Sequence, residues 1–546
     1  MPKVRLAMAQ TNPTVGDISG NLSQTIHVLD EAVAAGANLV VFGEMNLSGY
    51  PIEDLAARAS FISACEQAVA ELAEHLKSPK YAQIAVVVGH PSAAANAGHW
   101  SIAHNSATVI IDGEMIGRYA KHHLPNYSVF DEYRNFVAGD KSLTFDFNGL
   151  NFSVLICEDI WQSGGPVAAL SSAETDVALV LNGSPFEVSK LDTRLKLVSD
   201  LATAQHTAVA YVNLVGAQDD LIFDGNSFYV NADGRLVARA EQFETGICIV
   251  DIETKNDAIS HGEHNKTNEL EQIWSALVLG LRDYVEKNGF KSVVLGLSGG
   301  IDSAVCAAIA ADAIGAERVF GVSMPSVYSS EHSKSDAQDL AERIGCHYRT
   351  EAISSIVDTA ELQLGLSGVA AENLQARVRG LILMALSNAE GHLTLTTGNK
   401  TELAVGYSTI YGDSVGGFAP IKDVEKTLVW KLAEWRNQRA KSLGQIEPIP
   451  QNSISKPPSA ELRPDQLDQD SLPDYEVLDA LLEAYVDQRL GRDQVISLGF
   501  EADLVDRIIG LVDRAEWKRR QGAIGPKITS MAFGRDRRLP ITNKFK

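Results

Sequence analysis

The residues best suited to chemistry include one unbroken stretch, Lys291 to Cys306, which reads KSVVLGLSGGIDSAVC. The apolar run Val293 to Leu297 has the composition of a buried parallel strand, and AVCAAIAADAIG, from Ala304 onward, that of a buried helix. The turn between them is sized for a phosphate. Gly299 and Gly300 let the backbone approach an anion with no Cβ in the way, Ser298 and Ser303 offer hydroxyls, and the helix N-terminus offers unpaired N–H groups. A P-loop would carry a lysine after its last glycine; Asp302 stands here instead, suited to holding Mg²⁺ on a polyphosphate. A second set is dispersed: Glu44 ends the run NLVVFGE, Lys121 lies in GRYAKHHLPNYSVFDE and Cys157 in VLICEDIW. Taken singly, each also fits a plain part: a charge leaving a buried strand, a solvated loop cation, an inert core thiol.

Positioning these residues calls for two domains, since 546 residues exceed one ordinary core. In the first half, strands are predicted at residues 4–9, 84–89, 106–111, 154–157, 177–182 and 208–214, with helices such as 61–76 between them, which implies a layered α/β domain. The segment DIETKNDAISHGEHNKTN is polar and aperiodic, so the domains are placed at 1–255 and 269–546 with 256–268 as a linker. His261 and His264 in that linker read as solvated rather than metal-binding. The second half repeats strand and helix: a helix at 270–287, the SGGIDS unit, a strand at 319–324, a polar helix at 331–344, a strand near His347 and LTLTTG at 393–398. That order predicts a parallel sheet with Thr397 and Glu402 at its carboxyl edge. The small polar residues of 326–335 suggest a flap, and 454–479 carries too little apolar periodicity for a core element.

A hydrophobic fraction of 45% and a charged fraction of 21% are those of a globular protein, and no apolar run reaches membrane length. No membrane role and a cytoplasmic location are expected. The formal charge of −23 argues against a nucleic-acid partner, although Lys518, Arg519, Arg520, Lys527, Arg535, Arg537, Arg538, Lys544 and Lys546 cluster near the C-terminus. A solvated tail and a phosphate- or subunit-contacting segment both fit that cluster. The five cysteines show no CxxC spacing and predict neither a disulfide framework nor a zinc site.

Taken as SGGIDS, the loop resembles the pyrophosphate-binding loop of the ATP pyrophosphatases, which adenylate a carboxylate or carbonyl oxygen. The motifs GEMNLSGYP, YAKHHLPN and ICEDIW around Glu44, Lys121 and Cys157 match the triad of the nitrilase superfamily across the first half. The chemistry of these types is coherent: a thiol attacks an amide as thiolate, a carboxylate takes its proton and returns it to departing ammonia, and a lysine stabilises the oxyanion. Resemblance to glutaminase members implies that Tyr127, Ser184 and Lys190 hold glutamine, with Glu158 structural. In the second half ENLQARVRG, TTGNKTELAVGY, YGD and the stretch 454–479 resemble the NAD synthetases. That resemblance implies a Rossmann-like adenine nucleotide α-hydrolase domain. ATP would lie on Gly296, Leu297, Ser298, Gly299, Gly300, Ile301, Asp302, Ser303 and Thr397. Deamido-NAD would lie on Asn373, Glu402 and Lys518, and Mg²⁺ on Asp302 and Glu402. It also implies 454–479 as a substrate-covering loop, a homo-oligomer, and a passage for ammonia whose path the sequence does not show.

The expected activity is amidation of deamido-NAD by glutamine-derived ammonia through an adenylated intermediate. Another ATP-pyrophosphatase amidotransferase is disfavoured by the nitrilase-type triad and TTGNKTE, and a non-catalytic nucleotide sensor by the presence of every catalytic group. A Cys-His-Glu amidotransferase would need a nucleophile elbow that Ile156 and Glu158 do not provide, and an N-terminal-nucleophile type would need a cysteine where Pro2 stands. The adjacent His122 and His123 lack a partner at ligand spacing and read as loop residues.

Overall fold

The computed structural model describes residues 3–94, 102–260, 268–459, 461–463 and 466–544, in two compact units, Met1–Thr267 and Asn268–Lys546. The first unit holds two stacked sheets. Its strands, in chain order, are β1 (Val4–Gln10), β2 (Leu39–Val41), β3 (Ala85–Ala93), β4 (Ala103–Ile111), β5 (Glu114–Ala120), β6 (Leu143–Phe147), β7 (Leu150–Ile156), β8 (Val177–Asn182), β9 (Ala208–Asn213), β10 (Val215–Gln218), β11 (Leu221–Asp224), β12 (Phe228–Val230), β13 (Leu236–Arg239), β14 (Gly246–Thr254) and β15 (Asp257–Ser260). One sheet has the order β15-β14-β1-β2-β3-β4-β5 and the other β13-β12-β9-β8-β7-β6, while β10 and β11 form a separate hairpin.

Alternation along the strands explains the layering. Leu6, Met8, Leu39, Val41, Val87 and Val109 meet Phe152, Val154, Ile156, Leu179, Leu181 and Val212 between the sheets. The intervening residues Ala7, Val40, Phe42 and Val86 face the other way, onto Val28, Leu29, Val69 and Leu72 of the helices Ile18–Ala34 and Ala59–His75. On the second sheet, Ala178, Val180 and Val209 pack on Val198 and Leu201 of the helix Lys190–Gln205. Strands apolar on both faces are what a helix-sheet-sheet-helix stack requires.

The second unit contains a parallel sheet of β16 (Val293–Gly296), β17 (Val319–Ser323), β18 (His347–Thr350) and β19 (Leu393–Thr394), ordered β18-β17-β16-β19. The chain turns one way from β16 to β17 and lies on the other side at β19, so the carboxyl ends of β16 and β19 flank a topological switch point. A helical cluster follows, in which Ala404, Leu478, Leu481, Val505, Ile508 and Val512 are buried together.

Three expectations need correction. The span 256–268 is not all linker, because β15 pairs antiparallel with β14 inside the first sheet. Residues 261–267, which include His261 and His264, lie outside the described residues. The stretch 454–479 ends in core: Tyr475–Leu482 is a helix that buries Leu478, Leu481 and Leu482. The strand expected at 393–398 is shorter: Leu393 and Thr394 are in register with β16, and Leu395, whose N–H donates to the Val294 carbonyl at 2.9 Å, also bridges to Phe418.

Candidate active sites

In the first unit, Glu44 follows β2, Lys121 follows β5 and Cys157 follows β7, so the three expected residues all come from strand ends. They converge. Glu44 Oε1 accepts from Lys121 Nζ at 2.8 Å and from Asn105 Nδ2 at 2.6 Å, and its Oε2 accepts the Gly183 N–H at 2.7 Å. Lys121 Nζ also donates to Glu132 at 3.0 Å, and Glu132 Oε1 accepts the Tyr50 hydroxyl at 2.8 Å. Glu44, Lys121 and Glu132 are all buried. Burial alone would lower the lysine pKa, but Glu132 and Glu44 outweigh it and hold Lys121 well above its ordinary value. Burial, with the Glu44 charge adding and Lys121 opposing, pushes Glu132 up to about 7.

Cys157 opens a 3₁₀ turn, Cys157–Ile160, and takes a left-handed backbone with φ of 42°. For a non-glycine residue that conformation costs roughly 1–3 kcal/mol and persists only where the surroundings enforce it. Burial, reinforced by Glu44 and opposed by Lys121, drives the thiol pKa well above its ordinary value. The resting side chain is therefore a neutral thiol. Tyr127 donates to Glu158 Oε2 at 2.8 Å, and Glu158 also accepts from Gln162 at 3.1 Å. Ser184 accepts from Arg194 Nε at 3.2 Å, while Arg194 pairs with Asp224 at 2.7 Å. Lys190 begins its helix 3.4 Å from Glu187. His122 and His123 pack edge to face, with ring centroids 4.6 Å apart.

In the second unit, Gly299 has φ of +78°, and a Cβ there would lie 2.5 Å from the Ser333 carbonyl oxygen. Both observations demand glycine. Ser298 Oγ accepts the Gly300 N–H at 3.2 Å and lies 3.1 Å from Ser303 Oγ. The helix Ile301–Ile314 has no side chain capping its first turn, which leaves N–H groups for an anion. The loop forms one wall of a cavity of about 290 Å³, lined by Gly296, Leu297, Ser298, Gly300, Ile301, Asp302, Ser303, Thr397 and Glu402 among others. Gly299 turns away from it, onto Ser333.

Lys426 joins the two carboxylates. Its Nζ is 2.5 Å from Asp302 Oδ2 and 3.4 Å from Glu402 Oε1. Asn399 donates to Asp302 Oδ1 at 2.9 Å while capping the helix Lys400–Val405, whose first turn carries Glu402. Burial, with Asp302 adding and Lys426 opposing, raises Glu402 to about 8. At the rim, Glu461 Oε1 accepts from Ser333 Oγ at 2.7 Å, Ser330 Oγ at 3.0 Å and Lys456 Nζ at 3.0 Å. Among the described residues no group of three or more His, Cys, Asp or Glu side chains could hold a metal by itself. Two carboxylates facing a cavity beside an anion-binding loop nevertheless fit Mg²⁺, a cation that keeps water and phosphate oxygens as its other ligands.

The two other residues expected on the deamido-NAD side have partners within the protein. Asn373 accepts from Thr409 Oγ1 at 2.8 Å. Lys518 donates to the carbonyls of Gly406 and Ser408, both at 2.7 Å, so its ammonium ties down the chain after the helix that carries Glu402. The basic C-terminal cluster is also partly internal: Arg519 is buried on the Ala404 carbonyl at 2.7 Å, and the Arg537 guanidinium lies over the Tyr485 ring at 5.2 Å. The residues missed from sequence are Asn105 and Glu132 in the first site and Asn399, Lys426, Lys456 and Glu461 in the second.

The two sites define a bifunctional enzyme class, an amide-hydrolysing unit joined to a nucleotide-using one. Residues 5–256 match the family model described as carbon-nitrogen hydrolase, and residues 273–522 match the one described as NAD synthase. Over its whole length the chain is 44% identical to the glutamine-dependent NAD(+) synthetase of Acinetobacter baylyi, covering 99% of that protein. It is 42% identical to the one from Aquifex aeolicus, over 99% of this chain and 100% of the relative. The solved glutamine-dependent NAD⁺ synthetase of Acinetobacter baumannii, in complex with ADP, superposes with a TM-score of 0.77 at 43% identity, covering 99% of this chain and 98% of the other. That of Cytophaga hutchinsonii gives 0.80 at 23% identity over 99% and 98%, a likeness of fold. The chain belongs to the glutamine-dependent NAD(+) synthetase family.

Proposed function

We propose that this protein amidates deamido-NAD to NAD with ATP and with ammonia taken from glutamine, releasing AMP, pyrophosphate and glutamate. The observation that carries the reading is the pairing, in one chain, of the buried Glu44–Lys121–Cys157 constellation with the SGGIDS cavity. Glu44 takes the Cys157 proton as sulfur attacks the glutamine amide, Lys121 stabilises the oxyanion, and the proton passes to departing ammonia. Water then hydrolyses the thioester. Tyr127, Ser184 and Lys190 are our candidates for the substrate's polar groups.

In the second unit the first-turn N–H groups and the serine hydroxyls receive the phosphates released as pyrophosphate. Asp302 and Glu402 would hold Mg²⁺, which neutralises charge on the phosphates during adenylation of the nicotinate carboxylate. Lys426 balances these carboxylates, and Thr397 stands at the cavity wall for ATP. Asn373, Glu402 and Lys518 remain our candidates on the deamido-NAD side, Lys518 acting through the backbone it holds. Ammonia must reach the acyl adenylate unprotonated, which calls for transfer sheltered from bulk water. Among the described residues no helix is long and apolar enough to cross a membrane; we place the protein in the cytoplasm, as a homo-oligomer.

Cys157→Ala tests the two-site reading. Glutamine-driven NAD formation falls by roughly 10⁴-fold or more, while ammonium-driven formation continues at the unaltered rate. A variant that still uses glutamine removes Cys157 from the mechanism, and an intact protein that makes NAD from neither nitrogen source removes the synthetase assignment.

A further inference from the structure

The lysine and the thiol of the first site stand on separate strand ends, and a carboxylate outside the triad joins them. Asp159, fully buried, lies two residues after Cys157. Its Oδ1 accepts the backbone N–H groups of His122 at 3.1 Å and His123 at 2.9 Å, the two residues that follow Lys121. Its Oδ2 accepts the Ile156 N–H at 2.9 Å and the Tyr119 hydroxyl at 2.7 Å. A carboxylate that merely closed its own 3₁₀ turn would need only the Ile156 bond. The other three bonds go to the end of β5 and the loop beyond it, on the opposite sheet from β7.

The left-handed backbone of Cys157 gives this arrangement its purpose. No glycine relieves the conformation, so neighbouring groups must hold it, and the Asp159 to Ile156 bond spans it directly. Lys121 is in turn fixed through its own backbone, whose N–H donates to the Asn105 carbonyl at 2.8 Å and whose carbonyl accepts the Gly139 N–H at 2.8 Å. One buried carboxylate thus closes the frame between the lysine-bearing strand end and the nucleophile turn.

We propose that Asp159 is a positioning residue for amide hydrolysis, setting the Cys157 sulfur against Lys121 and Glu44 without touching substrate. The proposal rests on the reading of Cys157 as nucleophile. Replacing it by asparagine keeps an oxygen for the histidine N–H groups but turns an NH₂ toward the Ile156 N–H, placing donor against donor.

The test uses the full chain with Asp159→Asn, Tyr119→Phe and Cys157→Ala. Three quantities are read: kcat and KM for glutamine-driven synthesis, ammonium-driven rate, and the rate constant for iodoacetamide alkylation followed at the Cys157 peptide. For Asp159→Asn the glutamine-driven kcat falls about 10²-fold with KM unchanged, alkylation of Cys157 slows, and the ammonium-driven rate stays. Tyr119→Phe, which removes one donor of the four, shows a smaller drop of the same pattern and carries the test if Asp159→Asn fails to fold. An unchanged kcat and alkylation rate constant per native molecule, with only a lower unfolding midpoint, would overturn the proposal. Continued glutamine use by Cys157→Ala would instead sink the nucleophile reading on which it stands.

Discussion

Each unit of this chain holds a buried lysine between two carboxylates, yet the two clusters are finished differently. Around Lys121, the side chains of Glu44 and Glu132 are 0% and 3% exposed, and Asn105, the Gly183 N–H and the Tyr50 hydroxyl take up carboxylate oxygens. Around Lys426, the side chains of Asp302 and Glu402 are each 18% exposed and line a cavity. Both clusters set one lysine against two carboxyl groups. In the first, protein dipoles take up the carboxyl oxygens; in the second, the carboxyl groups face the cavity, where a cation and phosphates would enter. A lysine and two carboxyl groups are closed off in one setting and line an open cavity in the other, and access separates the roles proposed for them.

The comparison breaks most sharply at its lysines. Lys121→Met leaves Glu44 and Glu132 buried side by side with no counter-charge, and we expect a stability loss of about 3–5 kcal/mol in the first unit. Glutamine-driven synthesis falls on the order of 10³-fold, while ammonium-driven synthesis persists; denaturant melts and the two activities check both claims. A milder change tests the open cluster. Glu402→Gln lowers the rate with either nitrogen source by about 10²-fold and alters the response to pH. In the folded chain Glu402 stays protonated up to about 8, whereas in the unfolded chain it ionises near the ordinary value of roughly 4.3. Its stabilising contribution is therefore complete below the unfolded value and is lost as pH rises toward about 8. Unfolding midpoints of the second unit should fall over that window in the unaltered protein and change less in Glu402→Gln. Mg²⁺ held by Glu402, as proposed, would displace the same proton, so calorimetric affinity for Mg²⁺–ATP should tighten with pH in the unaltered protein and flatten in the variant. The smallest effect is expected at Gly299→Ala. The left-handed backbone costs about 1–2 kcal/mol, and the new Cβ pushes against Ser333. A KM for ATP raised by about tenfold, with glutamine hydrolysis untouched, is the expected readout.

Sequence made Glu44, Cys157 and the SGGIDS loop legible because each lies at the end of an apolar run, where a strand must stop; Lys121 follows the largely exposed β5 and was legible only through the motif YAKHHLPN. Glu132 and Lys426 offered no such run, since their roles arise from contacts made across the fold. Glu132 sits in FDEYRN, an ordinary acidic first turn. Lys426 did leave a trace: it opens the helix Lys426–Ser442, where a cation opposes the helix dipole and calls for a compensating partner. Asp302 and Glu402 are that partner. At Lys518 a basic cluster suggested phosphate, and no spacing signalled that the ammonium also bonds the Gly406 and Ser408 carbonyls. The helix Tyr475–Leu482 was hidden because the Pro- and Asp-rich loop before it masked its short apolar repeat.

The parallel sheet of the second unit does not end at β19. Leu395 bridges Phe418, and Phe418 bridges Ile524, with the Ala419 N–H donating to the Ile524 carbonyl at 2.8 Å. Asp423 accepts the backbone N–H groups of Ile528 and Thr529, both at 2.8 Å, and Thr529 Oγ1 accepts from Lys400, the neighbour of Asn399. The wall that carries Glu402 is thus propped by residues 524–529, which a ribosome makes long after the SGGIDS loop. The first unit can close as soon as β14 and β15 emerge beside β1. During synthesis the ammonia-producing half is therefore complete while the half that consumes ammonia still waits for its last supports.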